Sequence, residues 1–169
     1  MTDVQENLRD WLRDAHAMEE QAITMLSKTA DRLENYPELR TKLELHCEQT
    51  REQARLIRGC LERLGDDPSS LKDATAKFMA TMQAMSGMFV TDEVVKATMA
   101  AYTFEHMEIA SYRSLIAAAQ AAGDMETQRV CEMILPQEEA MANWLAEQLP
   151  IVTQQFLARD AAPNTEAKH

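Results

Sequence analysis

Apolar residues recur along this chain at intervals of three and four, the spacing that lines one face of an α-helix, and no stretch shows the sustained alternation of a half-buried strand. The first periodic stretch begins near Thr2 or Asp3, either of which can cap it, and its stripe runs Leu8, Leu12, Ala15, Ala22, Leu26 and Leu33. It predicts a helix α1 reaching about Glu34, because Asn35-Tyr36-Pro37 reads as a turn whose proline suits the first turn of the next helix. Helix α2 continues to about Leu64, with the stripe Leu39, Leu43, Thr50, Ile57, Leu61 and Leu64. Gly65-Asp66-Asp67-Pro68-Ser69-Ser70 is the clearest loop: the glycine suits a helix end, and Ser69 or Ser70 can cap the next helix. That shorter helix, α3, is expected over about 71–87, with a break at Gly87 and Thr91-Asp92. Helix α4 then covers about 92–122, Gly123-Asp124 turns the chain, and α5 reaches about Leu157. Pro136 and Pro150 fall inside α5 and should kink it. Residues 161–169 read as a disordered tail, which leaves one domain over 1–160.

Two long hairpins, α1/α2 and α4/α5, are thus joined by a segment of about 25 residues, more than an up-down-up-down bundle needs. The fold class is therefore all-α: a four-helix bundle with one long crossover connection that contains an extra short helix. Four Gly and five Pro in 169 residues agree with so much helix. A net charge of -11 disfavours nucleic acid and anionic lipid as partners. No apolar run approaches the roughly 20 residues of a membrane span, and Met1–Arg13 is a charged helix start rather than a signal peptide, so a cytoplasmic location is expected. Cys47, Cys60 and Cys131 are odd in number, lack CxxC spacing, and read as reduced core thiols.

The same stripes carry residues that do not belong in an apolar interior. Glu19 falls in the middle of the α1 stripe, while its neighbour Glu20 turns about 100° away toward water. On α2, His46 lies inside with Gln49 at the edge, and Glu48 and Glu52 point outward. The α4 stripe Val94, Ala101, Tyr112, Leu115 and Ala119 contains both Glu105 and Glu108, and on α5 Glu138 is flanked by Ile134, Met141, Leu145 and Leu149. Each such carboxylate singly is the ordinary boundary residue of a helix, and a lone inward histidine is ordinarily just hydrogen bonded in the core. Four helices contributing together are another matter. An unpaired carboxylate in an apolar interior costs several kcal/mol, and Arg51, Arg55 and Arg113 lie off the inner faces. A Glu-rich cluster with histidine and without sulfur ligands suits two iron ions, with manganese as the alternative. His16 and His106 are weaker candidates, and Tyr102 and Tyr112 flank the carboxylates of α4. The crossover carries Met79, Met82, Met85 and Met88 with Phe78 and Phe89, more apolar than an exposed connector should be, which predicts a homodimer.

Several strings resemble the bacterial YciE/YciF-like stress proteins of the ferritin-like superfamily. They are Ala17-Met18-Glu19-Glu20-Gln21, His46-Cys47-Glu48-Gln49-Thr50 with Gln53, Glu105-His106-Met107-Glu108-Ile109-Ala110-Ser111-Tyr112, and the segment around Glu138. The Glu-x-x-Glu of α4 is also similar to that of rubrerythrins. The resemblance implies a ferritin-like fold, dimers, and a di-iron site with metal ligands among Glu19, His46, Gln49, Glu105, Glu108 and Glu138. Two departures weaken that ligand set: Gln49 stands where the family pattern His-x-x-Glu has a carboxylate, and no histidine occurs three residues after Glu138. Two functions stay open, a di-metal protein that oxidises Fe(II) with dioxygen or peroxide, and a non-catalytic stress-response bundle with a degenerate or empty site.

Overall fold

The computed structural model describes residues 3–85 and 93–169; the expected break at Gly87 and Thr91-Asp92, together with Met88 and Phe89, lies outside the described residues. Within them the chain forms five helices, α1 (Val4–Arg32), α2 (Pro37–Arg63), α3 (Pro68–Met85), α4 (Val94–Ala122) and α5 (Met125–Asp160). The predicted all-α architecture holds, with helix ends displaced by a few residues. Pro136 and Pro150 both lie within one continuous α5.

Packing reproduces the stripes except at Leu64 and Leu149, which are only half-buried. Helix α1 contacts α2, α3 and α4, and α5 contacts α4 and α2, so the four long helices close a ring in the order α1, α2, α5, α4. The crossover explains this order. Helix α3, about 27 Å long at 1.5 Å per residue, packs on α1, and beyond it the chain re-enters the bundle at the end where α2 began. Helix α4 therefore starts beside the Asn35 turn and runs antiparallel to α1, and every neighbouring pair in the ring is antiparallel. The enclosed core contains Leu8, Leu12, Leu26, Leu43, Ile57, Leu61, Leu115, Ile134 and Leu145, all essentially inaccessible to solvent. Such packing supplies most of the stability of amphipathic helices.

Each end of the bundle is tied by hydrogen bonds. At one end, Gly65 and Gly123 adopt φ of +73° and +69°, and each closes its helix with paired bonds. Gly65 N–H donates to Glu62 C=O and Asp66 N–H to Leu61 C=O, and Gly123 N–H donates to Gln120 C=O and Asp124 N–H to Ala119 C=O. Arg63 then donates to Asp124 at 2.7 Å, joining the two hairpin ends, while Arg13 Nε donates to the buried Asp66 carboxylate at 2.9 Å. The cap of α3 is Asp67, whose Oδ1 accepts from Ser69 N–H at 2.8 Å, rather than Ser69 or Ser70 themselves. At the opposite end, residues 161–169, expected as a disordered tail, turn back at Asn164, where φ is +61°, and lie against the helix ends. Tyr36 Oη donates to Ala167 C=O, Asn35 N–H to His169 C=O, and Val94 N–H, an otherwise unmatched donor at the start of α4, to Lys168 C=O at 3.0 Å. Backbone carbonyls make these contacts, which is why the composition of the tail does not foretell them.

A pair of substitutions separates backbone strain from packing. A Cβ at Gly123 or at Gly59, inside α2, would meet nothing within 4 Å. Gly123→Ala should nevertheless destabilise by about 1 kcal/mol because its φ is positive, and Gly59→Ala should stabilise by roughly 0.5–1 kcal/mol. Urea midpoints moving in the same direction for both would contradict the turn geometry.

Candidate metal centre

Halfway along the bundle, each of the four long helices turns a charged or polar side chain inward. Glu19 comes from α1, His46 and Gln53 from α2, Glu105, Glu108 and Tyr112 from α4, and Glu138 from α5, and none is more than 1% exposed. No lysine or arginine is buried among the described residues. The interior therefore holds four carboxylates with His46 as their nearest potential counter-ion.

His46 Nε2 lies 3.2 Å from Glu105 Oε1 and 3.5 Å from Glu138 Oε2, close to both yet aligned with neither for a hydrogen bond. These three residues present one ligand atom each within 4.8 Å of one another, from three different helices. On the other side of the ring, His46 Nδ1 is 3.1 Å from Gln49 Oε1. With its proton on Nδ1, donated to that oxygen, the imidazole turns the Nε2 lone pair into the cluster and is held in the orientation a ligand needs. Gln49 itself is exposed and lies behind the histidine, so it does not join Glu105 and Glu138 as expected from the sequence.

Gln53 occupies the inner position instead. Its Nε2 donates to Glu138 Oε1, and to Gln137 Oε1 at 2.9 Å, which fixes the Glu138 carboxylate so that Oε2 faces the histidine. Tyr112 Oη donates to Glu19 Oε1, leaving Glu19 Oε2 without a donor. Neither oxygen of Glu108 accepts a hydrogen bond. Nine buried side-chain atoms lack a hydrogen-bond partner among the described residues, and seven of them belong to Glu19, His46, Gln53, Glu105, Glu108 and Glu138. Buried polar groups are nearly always satisfied, so this concentration singles out the cluster among the described residues.

The electrostatics agree. Burial pushes the Glu19 and Glu108 carboxyls well above the ordinary range, and the neighbouring carboxylates push them further. Burial likewise raises Glu105, to about 7, against the opposing pull of His46. For His46 burial acts downward, but Glu105 and Glu138 outweigh it and raise the imidazole to about 10. The cluster is short of positive charge, and at Glu19, Glu105 and Glu108 that favours the protonated carboxyl.

The remaining polar candidates stand apart from this cluster. His16 is buried, but its Nε2 faces Arg58 at 3.3 Å and Glu20 at 3.8 Å. His106 is exposed, with its ring edge-on to Tyr102 at 4.7 Å. Arg51, Arg55 and Arg113 pair with Glu48, Glu52 and Glu139 on the surface. The three cysteines are buried and free, and burial raises each thiol.

Comparison with known proteins identifies the family of the chain. The family model described as a domain of unknown function, DUF892, matches residues 3–158. A crystal structure of a protein from Xanthomonas campestris pv. campestris is 40% identical, with a TM-score of 0.80, covering 95% of this chain and 100% of its own. The stress protein YciF of E. coli is similar in fold, with a TM-score of 0.69 at 23% identity over 88% of this chain and 96% of its own. YcfI of Rhodopseudomonas palustris has a TM-score of 0.67 at 24% identity over 86% of this chain and 94% of its own. The resemblance read from the helix strings holds, and the chain belongs to the DUF892 family, with the fold of YciF.

Proposed function

We propose that this protein binds two divalent cations, iron or manganese, inside the bundle, and that with iron it oxidises Fe(II) using dioxygen or peroxide. The observation that carries this reading is the set of enclosed, unpartnered oxygens on Glu19, Glu105, Glu108 and Glu138, with His46 Nε2 beside them and no buried lysine or arginine among the described residues. Four carboxylates and two divalent cations cancel in charge, which removes the several kcal/mol that each unpaired buried carboxylate costs. His46, Glu105 and Glu138 would hold one ion, and Glu19 and Glu108 would hold the second. Bound iron supplies one-electron chemistry toward dioxygen or peroxide. The protein's own part is to exclude water, to hold His46 through Gln49 and Glu138 through Gln53, and to give Glu19 a proton donor in Tyr112.

The chain is further taken to act as a cytoplasmic homodimer in a stress response. Among the described residues no helix is long and apolar enough to cross a membrane. On the crossover helix Met79 is exposed, and Phe78 and Met82 are only partly buried. Sedimentation should give about twice the chain mass of 19.1 kDa, and a clean monomer at high concentration would remove the dimer.

Protein purified without chelators should carry close to two Fe or Mn per chain by elemental analysis. Glu105→Gln and Glu138→Gln should each weaken binding by about 10- to 100-fold while the helical circular dichroism is kept. Loaded anaerobically with Fe(II) and then exposed to dioxygen, the native chain should oxidise iron faster than buffer does. A metal-free native protein, with variants indistinguishable from it, would favour the non-catalytic bundle whose interior carboxylates are simply protonated.

The pH dependence has a definite sign. Glu105 and His46 have folded-state pKa values above their ordinary 4.5 and 6.5, at about 7 and about 10. Their contribution to stability is whole below those ordinary values and is lost as pH rises through the raised ones. The metal-free protein should therefore lose thermal stability steadily from about pH 5 to pH 9. Mn(II) should restore it by an increment that grows with pH, because the metal takes the place of the protons. A metal-free stability that rises across that range would refute the cluster's charge balance.

A further inference from the structure

Gln53 lies seven residues after His46, two helical turns along the same face of α2, and is 1% exposed. Its amide nitrogen is fully engaged, donating to Glu138 Oε1 and to Gln137 Oε1. With the nitrogen on the Glu138 oxygen, the amide oxygen lies on the other limb of the same planar group. That oxygen is enclosed and receives no hydrogen bond. Were the position needed only to fill space, leucine would do so without a stranded acceptor; were it needed only to hold Glu138, the oxygen would find a donor elsewhere in the core.

We propose that the Gln53 amide oxygen is a neutral ligand of the metal pair and that its neutrality tunes the site to divalent ions. The proposal rests on the metal-binding reading above and adds a second donor from α2, next to Glu138 and two turns beyond His46. The charge of the site gives the reason. Glu19, Glu105, Glu108 and Glu138 together carry four negative charges when ionised, which two divalent ions balance, and His46 and Gln53 add donors without adding charge. A glutamate at position 53 would leave one negative charge over. It would also set a second carboxylate against Glu138, where an N–H now donates. Five carboxylates around the same space favour an ion of higher charge, since the charge count of the ligands tunes cation affinity.

The test uses Mn(II) as the divalent probe, monitored by calorimetry and electron paramagnetic resonance, and Tb(III) luminescence as the trivalent probe, on the full chain. Q53L should lower Mn(II) affinity by about 10- to 100-fold and alter the resonance spectrum of bound Mn(II). Q53E, nearly the same shape, should shift the Tb(III)-to-Mn(II) affinity ratio toward Tb(III) by about tenfold or more. If Q53L binds Mn(II) with native affinity and spectrum, Gln53 merely packs and the proposal is overturned. If Q53E weakens both ions alike, the residue acts only by holding Glu138, and the ligand assignment falls. Should Q53L fail to fold, the ratio measured on Q53E decides alone. Native protein that binds no Mn(II) would overturn the metal reading itself, an outcome distinct from native binding that Q53L leaves untouched.

Discussion

Four carboxylates enclosed in an apolar bundle, with no basic side chain buried beside them among the described residues, are the constraint on which the rest of this structure turns. Desolvation alone would disfavour such a core by several kcal/mol for each charge, and the bundle accepts it at Glu19, Glu105, Glu108 and Glu138 together. Protons relieve part of the cost, as the upward pKa shifts of Glu19, Glu105 and Glu108 show. Protonation lets Glu105 and Glu108 share hydrogen bonds with Glu138, but it brings the cluster no positive charge. Cations meet both needs at once, since one ion can accept several of the stranded oxygens and cancel their charge.

The architecture supplies what such a site requires. Ligands on four separate helices stay in register only if the helices are fixed along their length, and here both ends of the bundle are clamped. Arg63 joins the α2 end to the start of α5, Arg13 holds the Asp66 loop against α1, and the carbonyls of residues 167–169 bind the Asn35 turn and the start of α4. The crossover helix α3 makes the antiparallel pairing of α1 with α4 possible, and that pairing brings Glu19 level with Tyr112. Around the cluster the supporting contacts come from ordinary amides and one phenol: Gln49 behind His46, Gln53 beside Glu138, and Tyr112 on Glu19.

The inward carboxylates are legible in the sequence because each sits within a run of apolar residues at helical spacing, as Glu138 does between Ile134 and Met141. The motif and the helical arithmetic pick out different glutamines of α2. At 100° per residue, Gln49 is displaced by roughly 60° from the direction of His46, and Gln53 by only about 20°. The His-x-x-Glu spacing points to Gln49, whereas the helix puts Gln53 inside. The contacts of the tail are beyond the sequence for a different reason: main-chain carbonyls make them, and any residue carries one. Asp67 rather than a serine caps α3 because Pro68, which reads as part of the loop, opens the helix.

The central claim is that metal ions, rather than protons alone, balance the interior carboxylates. Diffraction from crystals of the Mn(II)-loaded protein, recorded at the manganese absorption edge, tests it most directly. The account predicts two anomalous peaks in the bundle interior, one bounded by His46, Glu105 and Glu138 and the other by Glu19 and Glu108. An interior without anomalous density, with manganese found only at surface carboxylates, would contradict it.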